Sequence, residues 1–291
     1  MRFGWKLAVE GAVEDATAAE RHGYDVVWID DDDVSATALA ASLAVVTNGL
    51  RIGVTATVGL DHPIELAEEA AVADLALGGR LILGIRPAAG AEDAVAEVLD
   101  LLLECFASHP FRHRGQRWTV PASLEQNVFN LEDLVRVAPA PAQLELPVWV
   151  VGVAGRRAAA QRGLGIVADA DEVPADLADW WSKTAEEHPH LARRIRRSAI
   201  WEPPVERGRL IVDDAVDQLR SLQRAIGLDL VIVSHEQGSS STAVMSDIAR
   251  FVRPLVQLDR LPPGLEAHWS ETHDREPSIH PSPPTSARST T

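Results

Sequence analysis

The segment from Arg51 to Ile85 limits the possible folds of this 291-residue chain more than any other. Residues 51 to 58 are rich in β-branched side chains, which is typical of a strand, and apolar residues then recur at helical spacing between residues 61 and 77. Residues 81 to 85 form an almost continuous apolar run, as in parallel strands that are covered on both faces. The segment therefore predicts a βαβ unit.

Proline and glycine mark the two ends of the predicted helix. Pro63 suits a first helical position, and Gly78 with Gly79 can adopt the positive φ that commonly ends a helix. Several such units in one chain favour a parallel sheet covered by helices. The same junction of glycine and buried strand recurs at Gly23, at Gly163 with Gly165, and at Gly227.

The same stretch resembles a known family. His62-Pro63, the Ala/Glu-rich helix and the run Gly78-Gly79-Arg80-Leu81-Ile82-Leu83-Gly84 are similar to the most recognisable block of the bacterial luciferase-like family, which are flavin- and deazaflavin-dependent oxidoreductases. The resemblance implies an α/β fold, a (β/α)8 TIM barrel over residues 1–261 with a small insertion after the fourth βα unit. Residues 262–291 are rich in Pro, Ser and Thr, so we expect a disordered tail.

Charge and cysteine content restrict the partners. The formal charge of −16 disfavours nucleic acid and anionic membranes as partners. The one cysteine, Cys105, fits a reducing compartment, and no apolar run has transmembrane length or signal-peptide character. We therefore expect a cytoplasmic protein, and the resemblance implies a homodimer.

Catalytic candidates follow the second predicted strand. Active sites of (β/α)8 barrels lie at the carboxyl ends of the strands, where this chain has the acidic run Asp30 to Asp33. Asp31 or Asp32 could handle a proton near a substrate, although a solvated acidic loop that caps the next helix is the favoured alternative. Relatives that use the deazaflavin commonly have an Asp-His pair here, and this chain has Asp31-Asp32 instead.

Two further strand ends provide candidates for cofactor binding. Thr57 and Val58 end the third strand, where small residues and a hydroxyl suit close approach of a flavin ring; the alternative is that they are ordinary strand-end residues. Gly84 and Arg86 are expected just after the fourth strand, and the arginine could bind a phosphate or carboxylate. Relatives usually have a longer loop at this point.

The turn after the fifth strand is a candidate phosphate site. Gly152, Val153, Ala154, Gly155 and Arg156 would place backbone N–H groups and a guanidinium at the start of a helix, an arrangement that favours anions. The resemblance implies cofactor-phosphate binding at the same turn. A plain strand-to-helix turn is the alternative.

These candidates lead to two functional hypotheses. The first is a flavin- or F420-dependent oxidoreductase of the monooxygenase type, which binds FMN or coenzyme F420 and acts on a small organic substrate. The alternative is a catalytically degenerate barrel that serves as a non-catalytic subunit or binding protein, suggested by the missing histidine and the short fourth loop. The sequence contains no G-x-S-x-G, P-loop or H-E-x-x-H motif, so the residues that hydrolases, NTPases and zincins require are missing.

Overall fold

Eight parallel strands close into a barrel, which confirms the predicted fold. The computed structural model describes residues 1–31, 35–59, 61–107, 109–121, 134–172, 174–235 and 241–258. Each barrel strand pairs with its neighbours in chain order, and the last pairs with the first. The strands are β1 (Arg2–Leu7), β2 (Val26–Asp30), β3 (Arg51–Val58), β4 (Leu81–Pro87), β5 (Val148–Val151), β6 (Gly165–Ala168), β7 (Arg197–Trp201) and β8 (Leu230–Val233).

Helices cover the outside of the barrel and bury their apolar stripes against the strands. In the helix that follows β4, for example, Val98, Leu99 and Leu102 are completely buried. The helices are α1 (Ala12–Arg21), α2 (Ala36–Ser42), α3 (Pro63–Ala76), α4 (Val95–Phe106), α5 (Arg156–Arg162), α6 (Pro174–Glu187), α7 (Val212–Ile226) and α8 (Ser241–Asp247). None of the described helices is long and apolar enough to cross a membrane.

Shorter elements connect these units. Single helical turns lie at Leu43–Val45 and Glu92–Ala94, a short helix Pro189–Ala192 precedes β7, and α8 continues through a π-helical turn, Ile248–Val252, into the helix Arg253–Leu258. The predicted insertion lies between α4 and β5. The predicted tail, residues 262–291, lies outside the described residues. Two small hairpins pair His113–Arg114 with Thr119–Val120 in the insertion, and Val205–Glu206 with Arg209–Leu210 after β7.

The family-like block has a structural role at its helix-to-strand junction. Arg80 donates from Nε to the Leu77 carbonyl (2.7 Å) and from Nη1 to the Leu50 carbonyl (2.6 Å), so it satisfies carbonyl groups at the end of α3 and before β3. Asp74 on α3 is fully buried and accepts hydrogen bonds from the Leu81 N–H and from the Gln143 N–H. These contacts join α3, β4 and the segment before β5.

Two stacked tryptophans fill the middle of the barrel. The rings of Trp28 and Trp149 lie 5.9 Å apart at 21° to each other. Three glycines on neighbouring strands leave room for them. A Cβ at Gly84 would lie 2.8 Å from Trp28 Cζ2, one at Gly165 would lie 2.5 Å from Trp149 Cδ1, and one at Gly53 would overlap the Trp28 ring. The packed middle leaves the barrel's two ends for polar chemistry.

Candidate active site at the carboxyl ends of the strands

A chain of hydrogen bonds joins the first three strands above the tryptophans. Lys6 Nζ lies 2.6 Å from Asp30 Oδ2, and the other oxygen of Asp30 accepts a 2.6 Å bond from the Thr55 hydroxyl. Thr55 in turn accepts a 2.8 Å bond from the Trp28 indole N–H. Alternation along the strands places these residues on one face, and β-sheet register puts Lys6 beside Trp28 and Asp30 beside Thr55.

A second ion pair spans the barrel mouth between β4 and the end of β6. Arg86 Nη2 lies 2.6 Å from Asp169 Oδ1, and about a third of each side chain is exposed. Arg86 Nε is buried and has no hydrogen-bond partner among the described residues. The absence of a side chain at Gly152 allows Asp169 to lie close to the turn after β5, because a Cβ at Gly152 would lie 2.7 Å from Asp169 Oδ2.

The two carboxyl groups of this rim have opposite pKa shifts. Burial alone would raise the pKa of Asp30, but hydrogen bonds from Lys6 and Thr55 outweigh it and lower the pKa below the ordinary value. Burial raises the pKa of Asp169, and burial together with nearby carboxylates, led by Glu172, outweighs the lowering effect of the Arg86 charge. The surroundings of Asp30 therefore favour its ionised form, whereas those of Asp169 favour its protonated form. Pairs of carboxyl groups whose surroundings shift their pKa values in opposite directions are typical of acid and base groups in enzymes.

The catalytic candidates from the sequence lie beside this rim. Asp31 is half-buried, and its Oδ1 accepts a 3.3 Å hydrogen bond from the Ala36 N–H at the start of α2. This contact is the helix-capping role considered as the alternative. Asp32 lies outside the described residues. A catalytic role for either residue stays a prediction.

The candidates on β3 and β4 lie at different depths. Strand β4 continues through Pro87, so Gly84 and Arg86 lie within it and not after it. The strand extends this far because β3 provides partners up to Val58, pairing Thr57 with Arg86. Thr57 is exposed next to Arg86, whereas Val58 is buried with the helix-facing core and Gly84 lies under Trp28. Of the four cofactor candidates on these two strands, Thr57 and Arg86 are therefore the ones that lie at the mouth of the barrel.

The predicted phosphate turn is a helix start without a side-chain cap. Gly152 and Gly155 both have φ of 81°, and Val153 between them is 66% exposed. The Arg156 guanidinium is buried and donates from Nη2 to both carboxylate oxygens of Glu172, at 2.5 and 2.6 Å. A phosphate at this turn would thus meet backbone N–H groups more readily than the Arg156 side chain, and phosphate binding here stays a prediction.

Several rim residues were not singled out from the sequence. Asp169 directly follows Ala168, the last residue of β6, so the rule that strand ends carry chemistry could have found it. Lys6 could have been found from alternation along β1. The pairing of Lys6 with Asp30 and of Arg86 with Asp169 depends on which strands are neighbours, which the closed barrel supplies.

The structure is a closed (β/α)8 barrel with charged and polar side chains at the carboxyl ends of its strands, where enzymes with this fold have their active sites. The family model for luciferase-like monooxygenases matches residues 6–226. The chain belongs to this family, whose members are flavin- or F420-dependent oxidoreductases, and it is an enzyme of that class. The comparisons give no support to the non-catalytic alternative.

Solved structures share this barrel at low sequence identity. The chain is similar to the oxygenating constituent of 3,6-diketocamphane monooxygenase from the CAM plasmid of Pseudomonas putida, solved in complex with FMN, with 16% identity, coverage of 87% of this chain and 98% of that one, and a TM-score of 0.63. The chain is also similar to the coenzyme F420-dependent tetrahydromethanopterin reductase from Methanopyrus kandleri. The identity is 16%, the match covers 87% of this chain and 98% of that one, and the TM-score is 0.66. A long-chain alkane monooxygenase is 13% identical, with coverage of 90% of this chain and 92% of that one and a TM-score of 0.67.

Identities this low establish the shared fold and nothing finer. A search among curated proteins finds no match to this chain.

Proposed function

We propose that the chain binds FMN or coenzyme F420 at the rim formed by Lys6, Asp30, Arg86 and Asp169, and oxidises a small organic substrate there. The observation that carries this proposal is the pair of carboxyl groups with opposite pKa shifts in the barrel mouth. Two similar solved structures support a cofactor of the flavin type: one was solved in complex with FMN, and the other is a coenzyme F420-dependent reductase.

The rim residues fit such a cofactor. Arg86 has a buried Nε–H with no protein acceptor among the described residues, so a carbonyl or phosphate oxygen of a ligand would satisfy it. Lys6 and Arg86 supply positive charge for the polar edge of the ring or its phosphate. The exposed Thr57 hydroxyl and the backbone N–H groups of residues 153 to 155 are further donors. The bound flavin or deazaflavin would supply the hydride and oxygen chemistry.

The protein's own groups would position the substrate and handle a proton. Lys6 keeps Asp30 ionised, and Asp30 fixes the Thr55 hydroxyl, which in turn orients the Trp28 indole below the site. Arg86 orients the Asp169 carboxyl group, and the raised pKa of this group favours a role in giving a proton to the reacting substrate and taking it back. Asp169 is the group that we assign as acid and base.

Titration of the full chain with each cofactor tests this function. We expect FMN or F420 to quench tryptophan fluorescence with a Kd below ~100 μM, a level that fills sites of moderate affinity. Arg86→Gln should weaken binding at least about tenfold, whereas Arg114→Gln on the exposed hairpin should leave it unchanged. The double variant Arg86→Gln/Asp169→Asn shows whether the loss comes from the missing cation or from the carboxylate left alone. Failure of both cofactors to bind would overturn the proposal.

Location and assembly complete the proposal. We place the protein in the cytoplasm as a homodimer, without nucleic-acid or membrane partners. The excess of acidic residues and the single, buried cysteine support this placement. Multi-angle light scattering at micromolar concentration should give twice the 31.5 kDa chain mass; the mass of one chain would count against the dimer.

A further inference from the structure

A cavity of about 1130 Å³ opens at the amino ends of the barrel strands. It is bounded by the first residues of several strands, including Arg2, Val26, Arg51 and Leu230. The candidate active site lies at the other end of the barrel, beyond the stacked tryptophans. Because (β/α)8 enzymes carry out their chemistry at the carboxyl end, this cavity calls for a separate explanation.

Positive charge is concentrated around the cavity. Two carboxylates, Glu145 and Asp229, are present among its lining residues. This excess of cations contrasts with the formal charge of −16 of the whole chain, and it creates a local potential that favours anions. The lining arginines are Arg2, Arg51, Arg162, Arg193, Arg194 and Arg196.

Most of these guanidiniums lack a strong partner. Arg194 and Arg196 lie 4.0 and 3.9 Å from carboxylate oxygens, beyond hydrogen-bond distance. Arg51 donates to the neutral Gln143 side chain, and burial together with the charge of Arg2 lowers its pKa. In the described part of the chain, neither Arg2 nor Arg193 makes a side-chain hydrogen bond or ion pair.

Arginines at this end of the barrel that serve the fold are engaged in a different way. Arg80 and Arg197 donate to the final carbonyl groups of helices, at Leu77 and Ile226, as cations at helix C-termini do. Arg162 is held by two bonds to Asp100. Helix capping and ion pairing therefore do not account for Arg2, Arg51 and Arg193, and the ion pairs of Arg194 and Arg196 are long and exposed.

The inner wall of the cavity is apolar. Val26, Ile82 and Leu230 line it together with Trp149, which offers an aromatic surface. The volume is slightly above the usual range for small-molecule sites, roughly 300 to 1,000 Å³, so a ligand of that size fits inside it. A small hydrated ion alone would leave this apolar wall in contact with water.

We propose that this cavity is a second ligand site, which binds an organic anion with an apolar or aromatic body. The anionic group, a phosphate or a carboxylate, lies among the arginines, whose planar forks bind either group through two parallel bonds. The apolar body covers Val26 and Trp149. The site is distinct from the cofactor site at the carboxyl end, and it does not depend on the proposed function.

Calorimetric titration of the full chain with 1-naphthyl phosphate and 1-naphthoate tests the proposal and distinguishes the two anionic groups. We expect one molecule of at least one probe to bind per chain, no binding of uncharged 1-naphthol, and at least about tenfold weaker binding of inorganic phosphate. The variant Arg2→Gln/Arg193→Gln should lose at least about tenfold in affinity, with an unchanged unfolding midpoint because neither side chain has a partner among the described residues.

The matched control is Arg21→Gln/Arg114→Gln, which removes the same charge from exposed positions elsewhere. It should bind the probe as the unaltered protein does. The proposal is overturned if neither probe binds at ~1 mM, the weak limit of specific affinity, or if the cavity variant and the control behave alike. FMN or F420 binding should be unchanged in the cavity variant; a parallel loss would mean that the two sites are not separate.

Discussion

Trp28 lies directly against the backbone of Gly53 on the next strand, so closely that a Cβ at Gly53 would overlap the Trp28 ring at Cε3. The same indole donates to Thr55, which holds Asp30 at the barrel mouth. A glycine inside β3 therefore determines the position of the polar groups above it. Glycine inside a buried strand often marks such a close approach.

Replacement of Gly53 by alanine should be strongly destabilising. The new methyl group must displace a fully buried tryptophan, and overpacking of this kind costs about 1–3 kcal/mol. Urea unfolding followed by circular dichroism measures the loss. Gly49→Ala is the matched control, since the nearest atom to a Cβ there is 3.9 Å away, and it should shift the midpoint little. Equal shifts in the two variants would contradict the packing argument.

Local patterns that repeat along the chain could predict the βα units, and the resemblance to the luciferase-like family supplied the closed barrel. Apolar runs that follow glycine stops at Gly78 and Gly227 are local signals, and each reports one βα unit without knowledge of the others. The site was harder to predict, since Lys6 and Asp30, or Arg86 and Asp169, become partners only after distant strands are brought side by side. Asp169 could be found as a residue at the end of β6, but its pairing with Arg86 could not be predicted from the sequence.

The two rim carboxyl groups should give opposite pH signatures in stability. The folded-state pKa of Asp30 is lowered, so its stabilisation is present above the unfolded value of about 3.9 and is lost as pH falls through the folded pKa. The folded-state pKa of Asp169 is raised, so its contribution is present below about 3.9 and is lost as pH rises through the folded pKa.

Urea midpoints measured from about pH 3 to pH 7, around the unfolded value, test these signs. The stability difference between the unaltered protein and Asp30→Asn should be largest near neutral pH and should shrink in acid. For Asp169→Asn the variant should gain on the unaltered protein as pH rises above about 4. Parallel curves for the two variants would show that the pKa values of Asp30 and Asp169 are not shifted in opposite directions.

Asp31 and Asp169 should differ in their effects on turnover. Asp31 accepts from the N–H of Ala36, so Asp31→Ala should lower the free energy of unfolding by about 0.5–1 kcal/mol through loss of a cap-like bond. Its effect on the oxidation rate of bound, reduced cofactor should be less than about threefold, against a loss of about 10²-fold or more for Asp169→Asn. Stopped-flow absorbance measures both rates. The reverse order would restore the catalytic prediction for Asp31.

Loss of the Glu172 carboxylate should leave a buried guanidinium without its partner. Arg156 and Glu172 side chains are only 6% and 10% exposed, and Glu172 also accepts from the Asp169 N–H at 2.9 Å. Glu172→Gln should therefore lower the free energy of unfolding by about 3–5 kcal/mol, as when one partner of a buried pair is removed. Asp93→Asn, which breaks the exposed pair with Arg117, should change it by less than about 1 kcal/mol.

Replacement of both buried partners separates their structural role from phosphate binding. In Arg156→Met/Glu172→Met no buried charge remains, so much of the lost stability should return, because apolar pairs of similar volume often replace buried ion pairs at no net cost. Since Glu172 already takes both contacts of Arg156 Nη2, cofactor affinity in this variant should stay within about threefold of the unaltered protein, less than one lost charge-assisted bond would cause. A stable double variant that binds cofactor tenfold more weakly would instead assign Arg156 to the phosphate, as the sequence predicted, and would require its guanidinium to leave Glu172 when the cofactor binds.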